Sequence, residues 1–532
     1  MAEHYDVIIC GGGPAGLMLA YQLVRLGISI LIIEQFDKTQ QDMYGRASTL
    51  SPRTSELLDQ LDLLDEMAQV GLIGRASVTY KDGQRVQDRG WDHLHTLSDT
   101  YLTFNLNIRQ KYSENIFRTA LERYGGKVNA GWILRNFILD DDADDYKISA
   151  EITDQRGMTV TAKSKYIIGA DGGKSSVRKI AGIPFVGEKS AFQWVRIDAV
   201  IKTDMPQSRV GFGAIESATH GNNVLWVSLD HGRSRIGFAL PKALQEQYGE
   251  NITEEIVKQE AAKAMAPFKV EFVSVDWWTL YSIGQRLADT FQHQDRILLA
   301  GDAAHTHSSG AAQGMNTGIQ DAVNLAWKLG GVLKGWYKPE VLKTYSPERR
   351  AVAQYLINLD KTMSTLISGN IPESYADNVH GGDTNLILLD VVNSAKHFTT
   401  GLGIAYEPDK FLNKAAGFTS VRTGRRAPDV LVRKPGSSFP ARLYELTKNN
   451  GKFWVVVFAG EPIRTAVNLR ALRAYLDSVD SFTKRLTDAF NFLTIIAGTG
   501  SQPDETLGVE KFGRAYYDTD HAAYTRYGDL DG

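Results

Sequence analysis

Along this chain the spacing of apolar residues switches between a period of two and a period of three to four, and the switches predict its elements. Val7-Ile8-Ile9-Cys10 reads as a buried strand, Gly11 to Gly16 as a glycine turn, Leu17 to Leu26 as an amphipathic helix, and Ser29 to Glu34 as a second strand. Together they predict one βαβ unit. A helical pattern over Thr54 to Val70 follows, then a helix over Gln110 to Tyr124 and alternating strands near Trp132 to Leu139 and Ile148 to Ile152. Tyr166 to Ala170 is another buried strand and runs directly into Asp171-Gly172.

From about 181 to 284 the pattern turns β-rich, as in Val224 to Ser228 and Arg235 to Leu240, with one helix near 252 to 266, which predicts an inserted antiparallel sheet. Arg296 to Ala300 returns to a buried strand, followed by Gly301-Asp302 and a long helix through Lys334. The nucleotide-binding fold is therefore expected to be discontinuous, over 1–180 and 285–345, with a sheet domain at 181–284 and a helical connector at 346–425. Gly424 to Pro428 marks a boundary loop. Beyond it, over 426–532, the predicted strands Phe453 to Phe458 and Phe492 to Ala497 flank a helix from Ala466 to Val479.

Charge narrows the function. Lys plus Arg total 59 and Asp plus Glu 62, a net charge of −3, with no basic run suited to nucleic acid or a membrane surface, so a small-molecule partner is expected. Cys10 is the only cysteine, which excludes a disulfide framework, a thiolate metal site and a CxxC redox pair and fits a reducing compartment. The first residues lack the features of a signal peptide, and no apolar stretch approaches the ~18 to 20 residues of a membrane span, so the cytoplasm is the expected location.

Gly11-Gly12-Gly13-Pro14-Ala15-Gly16 fits GxGxxG in the context that gives it meaning, with a strand before, a helix after and Glu34 closing the next strand. Glycines let backbone N–H groups approach a pyrophosphate at the helix N-terminus, and Glu34, beside Gln35, is placed for the adenosine ribose. This motif alone leaves NAD and FAD both open. Gly169-Ala170-Asp171-Gly172 and Leu299-Ala300-Gly301-Asp302-Ala303-Ala304-His305 decide between them, since they resemble the DG and GD motifs of the flavoprotein hydroxylases and stand in that family's order.

The resemblance extends over nearly the whole chain to hydroxylases of the phenol hydroxylase type. It implies a Rossmann-like FAD domain, an inserted substrate sheet and a C-terminal thioredoxin-like α/β domain. It also implies that Asp302 hydrogen-bonds the ribityl chain of FAD, and that Asp171 with Arg178 organises the approach of a nicotinamide nucleotide. A plain turn aspartate is the competing reading of Asp171. His305 to Asn316 is similar to the loop that leads to the helix beneath the flavin ring, which brings Ala312, Gly314, Met315 and Asn316 to the cofactor. Arg46, Ala47, Ser48 and Gln110 match positions that hold FAD in the family. His305 and His307 could suggest a metal, but i, i+2 spacing with no third ligand nearby argues against one.

Trp277 to Arg286 resembles the substrate-domain strand that re-enters the FAD domain, and the family's active-site tyrosine maps onto Tyr281. Trp277 and Trp278 read as core aromatics. Trp226, Ser228 and Ser309 are the candidate walls of a substrate pocket. Two departures stand out: Ser309 replaces a usual proline, and Ser48 replaces an aspartate that works with the tyrosine on the substrate hydroxyl. The cysteine-free C-terminal segment points to dimerisation, and its end at Gly532 is expected to be shortened or rebuilt relative to the family.

The implied activity is hydroxylation of a phenol or other electron-rich ring, with NADPH or NADH as transient reductant, dioxygen as co-substrate and an FAD C4a-hydroperoxide as oxidant. Epoxidation, oxidative decarboxylation or ring rearrangement of a natural product is the enzymatic alternative, and a non-catalytic flavin-binding scaffold is a third reading.

Overall fold

The computed structural model describes residues 3–45, 47–87, 89, 94–140, 142–143, 145–308, 312–377, 380–407, 411–412 and 421–527. They form two compact units: residues 1–56, 63–325 and 345–402 make the first, and 57–62, 326–344 and 403–532 the second.

In the first unit, five parallel strands lie in the order Ile297–Leu299, Thr159–Gly169, Glu3–Cys10, Ile30–Glu34 and Val128–Ala130. Apolar runs such as Val7-Ile8-Ile9 and Ile167-Ile168 are wholly buried, as parallel strands covered on both faces require. Trp132–Leu139 and Ile148–Asp154 extend the sheet as antiparallel strands. Helix Pro14–Arg25 starts with proline in its first turn and buries Leu17, Met18, Leu19, Ala20 and Leu23. The three motif turns, at Gly11, Asp171 and Gly301, leave the carboxyl ends of three adjacent parallel strands. That edge of an open α/β sheet is where ligands bind.

The second sheet of this unit runs His305–Thr306, Val270–Ala288, Phe185–Thr203, Ser234–Leu240, Asn222–Ser228, Gly211–Ser217, Ala76–Lys81, Gln84–Val86. It therefore also recruits two strands from ahead of residue 181, and Gly211–Ser217 pairs in parallel with Ala76–Lys81. Its faces separate by the two-residue period of a strand. Val195, Ile197, Trp226, Ile236 and Phe238 form one core with helix Glu254–Ala264. On the other face Trp194, Leu225 and Tyr281 pack with residues of helices Tyr345–Ile367 and Thr384–Thr399.

The second unit holds a five-stranded sheet ordered Pro440–Arg442, Leu431–Arg433, Arg514–Asp518, Phe490–Ala497, Phe453–Gly460, the last three parallel. Val432, Leu443, Leu493, Ile495 and Tyr524 are its core on one side, and Leu469, Leu476, Phe512 and Tyr517 on the other. The Tyr524 hydroxyl donates to Ile495 O (2.8 Å) and accepts from Gly460 N (2.7 Å). No helix among the described residues is long and apolar enough to cross a membrane.

Candidate active site

Two of the glycines in the first turn are required by crowding. A Cβ on Gly11, whose φ is +110°, would stand 2.2 Å from Ala170 O, and one on Gly16 would stand 2.0 Å from Gly11 O. Gly13, in contrast, has nothing within 4 Å of a Cβ position, so the N-terminus of helix Pro14–Arg25 opens into free space. The Glu34 carboxylate accepts from Gly12 N at 2.8 Å and Phe36 N at 3.1 Å, with Lys38 Nζ 3.6 Å away. Strand end and glycine turn are thereby locked together.

The other two turns are braced by buried charge. Asp321 accepts from Gly301 N (3.0 Å), contacts His305 Nε2 (2.8 Å) and accepts from Arg349 Nε (2.6 Å). Burial works against this carboxylate, yet Arg349 and His305 hold it below the usual carboxylate range. His305 thus serves a carboxylate, and among the described residues no three His, Cys, Asp or Glu side chains are grouped to hold a metal. Arg178 donates to Ala303 O (2.7 Å) and Gly173 O (2.8 Å), which ties the second turn to the third. Asp171 accepts from Ser176 N at 2.6 Å through one oxygen, while the other is buried without a partner and burial pushes its carboxyl up. Asp302 projects from the third turn and is exposed, with no hydrogen-bond partner among the described residues.

All three turns open on one cavity of about 1180 Å³, larger than the roughly 300–1,000 Å³ of a single small-molecule site. Gly11, Gly13, Pro14, Ala15, Glu34, Gln35, Ala47, Ser48, Gln110, Asp171, Asp302, Ala312, Gly314, Met315 and Asn316 line it; Gly16 lies behind, packed on Gly11. Arg46 and Ser309 lie outside the described residues. Two of the lining side chains are committed to the protein. Gln110 accepts from Ala47 N (3.4 Å) and donates to Glu114 (2.8 Å). Asn316 accepts from Ser51 N (2.8 Å) and donates to Thr49 O (2.9 Å) and Ala312 O (2.7 Å). They shape the cavity wall, which leaves backbone as the main contact surface there.

These features fit FAD. An open helix N-terminus, an acidic strand end, an unpartnered Asp302 and a second helix, Gly314–Leu333, starting at the cavity are what a dinucleotide with a flavin ring needs.

The far wall of the cavity is the inner face of the second sheet, where Tyr281, Thr279, Trp277, Phe212, Leu225, Val227, Arg196 and Arg235 all line it. Trp226 and Ser228 do not, which corrects the expectation that they wall the pocket. They sit one residue out of phase with Leu225 and Val227 on strand Asn222–Ser228, so they point the other way. Trp226 Nε1 and Ser228 Oγ both donate to Ser208 O at 2.8 Å. Trp277 and Trp278 divide on the same principle, Trp277 to the cavity and Trp278 to the core. Sequence reading missed Arg196, Asp198 and Arg235. Their signal was charge at alternating positions of otherwise apolar strands, which shows an inward face only once the register is known.

A βαβ nucleotide site that shares one cavity with an antiparallel sheet fits a flavoprotein oxidoreductase. The comparisons refine this. The FAD binding domain family matches residues 4–360, and the phenol hydroxylase C-terminal dimerisation domain matches residues 404–526. A phenol 2-monooxygenase of Aspergillus fumigatus is 28% identical over 477 residues, 86% of this chain and 76% of that one. The 3-hydroxybenzoate 4-monooxygenase of Comamonas testosteroni is 30% identical over 505 residues, 86% of this chain and 75% of that one. The crystal structure of the flavin-dependent monooxygenase PieE, with FAD and substrate, superposes with a TM-score of 0.71 at 20% identity, over 96% of this chain and 93% of that one, a likeness of fold. The chain belongs to the FAD-dependent aromatic monooxygenases of the phenol hydroxylase type.

Proposed function

We propose that the protein hydroxylates a phenolic ring, consuming one NADPH or NADH and one dioxygen, and releasing water with the second oxygen atom. The observation that carries this reading is the single cavity that joins the three nucleotide-site turns to a wall bearing Tyr281. Bound FAD would supply the passage of electrons from the nicotinamide to dioxygen. Gly13 and the following amides would face the pyrophosphate, Glu34 the ribose, and Asp302 the ribityl chain; the Gly314–Leu333 helix N-terminus would favour negative charge on the ring. Tyr281 would orient the substrate oxygen, and the apolar side chains around it would keep water from the reacting atoms. Oxidation of NADPH and NADH by the yellow holoenzyme, measured with and without a panel of phenols, tests this. Oxidation should accelerate with a phenol and yield a product heavier by one oxygen; a rate that no phenol changes would count against it.

The segment matching the dimerisation domain supports a homodimer. Its helix Pro462–Asp477 leaves Ile463 91% and Val467 71% exposed, one turn apart on the same side. Ile463→Glu combined with Val467→Glu should convert the dimer to a monomer in sedimentation with the flavin spectrum unchanged. An unaltered dimer would place the interface elsewhere.

A further inference from the structure

We propose that His307 is the proton store of the flavin pocket: it stays neutral beside oxidised FAD and takes one proton on Nε2 when the cofactor gains the negative charge of two-electron reduction. The inference deepens the FAD reading above and rests on it. His307 follows the third motif turn and lines the cavity. Its Nδ1 stands 2.7 Å from Ser308 O. A carbonyl only accepts, so Nδ1 carries the ring proton and Nε2 is left with a bare lone pair. Nε2 is buried and has no hydrogen-bond partner among the described residues. A Cβ on Gly314 would stand 3.9 Å from both His307 Nε2 and Cε1, so that edge of the ring lies beside the first residue of helix Gly314–Leu333. The same helix start is where the reading above puts the negative charge of the reduced flavin.

The charges that face His307 leave it between two states. Burial opposes a proton on the ring and holds its pKa below the ordinary 6.5. Two neighbours act in the same direction: His305, whose ring stacks on that of His307 with centroids 6.3 Å apart, and the positive end of helix Gly314–Leu333. Asp302, in the preceding turn, and Asp360, on helix Tyr345–Ile367, act against them. Asp360 is wholly buried and accepts from Ser308 N (2.8 Å), Ser308 Oγ and Gln285 Nε2 (2.8 Å), and no cation among the described residues pairs with it. Asp321 is already held by Arg349 and His305. A buried carboxylate with hydrogen bonds but no counter-ion therefore stands next to a ring that needs only a proton to become one. One more negative charge, on the cofactor, tips the balance. Hydride transfer from NADPH brings two electrons and one proton to FAD and leaves the ring one charge more negative. The compensating proton comes from solvent and forms an N–H bond at His307 Nε2. It is the proton that the overall reaction consumes, since ring–H, NADPH, dioxygen and one proton give ring–OH, NADP+ and water.

The test is the midpoint potential of bound FAD as a function of pH, measured by spectroelectrochemistry on the anaerobic holoenzyme, for the parent and for His307→Asn. Asparagine keeps a donor for Ser308 O and cannot take a proton. Each proton taken up per two electrons changes the reduction constant tenfold per pH unit, or about 30 mV. Where His307 titrates, the parent should therefore fall by about 60 mV per pH unit and His307→Asn by about 30 mV. Asp360→Asn removes the charge that favours the proton, so it should move the steep part of the curve to lower pH. Equal slopes in the parent and His307→Asn place the second proton elsewhere, on the flavin itself for example, and overturn the inference. Should the variants fail to fold, the parent alone decides through NMR of its holoenzyme with ring-15N histidine. One histidine should pass from the Nδ1–H tautomer to the doubly protonated form when dithionite reduces the flavin. That starting tautomer tells it from His305, whose Nε2 donates to Asp321. A spectrum in which no such histidine changes form overturns the inference as well. A protein that holds no FAD would sink the flavoprotein reading and this inference with it, whereas FAD bound with a slope that His307 does not alter sinks this inference alone.

Discussion

The two ends of the cavity are built from different materials. At the nucleotide end the working surface is backbone: glycine turns, helix N-termini and one projecting carboxylate, Asp302, with the charged groups Asp321, Arg349 and Arg178 spent behind it on bracing. At the sheet end the working surface is side chain, set out at every second residue of neighbouring strands. A backbone site tolerates little change in the chain that forms it, because its shape is its chemistry. A side-chain site can be rewritten one residue at a time without disturbing the sheet. Cofactor binding should therefore fail by collapse, and substrate choice by degrees.

The sharpest way to break this contrast is Gly11→Ala. The added methyl would meet Ala170 O in a backbone conformation unsuited to alanine, and a cost of at least about 4 kcal/mol is expected, seen as loss of soluble, flavin-bearing protein. Normal yield and flavin content would show that the turn relaxes. Next, the two faces of one strand should respond differently. Trp226→Ala should lower stability by about 3–5 kcal/mol, whereas Val227→Ala on the cavity face should cost about 1 kcal/mol and change substrate affinity instead. Comparable denaturation midpoints for the two variants would contradict the assigned phase of the strand.

Tyr281→Phe and Asp302→Ala should separate the two ends. The first should slow coupled hydroxylation by about 10²-fold and raise peroxide release with FAD retained. The second should weaken FAD by about 1.5–3 kcal/mol, roughly ten- to a hundredfold, with little change in turnover once flavin is saturating. A Tyr281→Phe enzyme fully coupled at the parental rate would reduce Tyr281 to a pocket wall. The smallest effect is on acid stability. Burial lowers the His307 pKa below the ordinary 6.5, so the folded chain keeps the ring neutral while the unfolded chain takes up a proton. Stability should then fall as pH drops below about 6.5, and His307→Asn should flatten that part of the thermal profile. Asp321, whose pKa is lowered, adds stability above its ordinary 3.8 that is lost in stronger acid. An unchanged slope in His307→Asn would assign the proton uptake to another group.

The same contrast explains what the sequence could reveal. Backbone sites are written in consecutive residues, so Gly11 to Gly16, Asp171 and Asp302 could be read together with the strands that carry them, and the long helix after the third turn with them. The sheet wall is dispersed over residues 196, 212, 225, 227, 235, 277, 279 and 281, whose meeting depends on register. A shift of one residue sends every side chain to the opposite face, which is why Trp226 and Ser228 were expected at the pocket in place of Leu225 and Val227. Strand Ala76–Lys81 escaped for a related reason: its parallel pairing with Gly211–Ser217, across more than a hundred residues, leaves no local signal, whereas Gln84–Val86 folds back on it as a hairpin through Asp82-Gly83, a local turn signal that sequence reading missed.

The central claim is that one cavity unites flavin and an aromatic substrate for oxygen transfer. Its most direct test is turnover of the holoenzyme with NADPH, 3-hydroxybenzoate or a simple phenol, and isotopically labelled dioxygen, with mass analysis of the product. The account predicts a ring-hydroxylated product carrying one labelled oxygen atom for each nicotinamide consumed in coupled turnover. Product oxygen derived from water, or nicotinamide oxidation that yields only hydrogen peroxide with every aromatic compound tried, would contradict it.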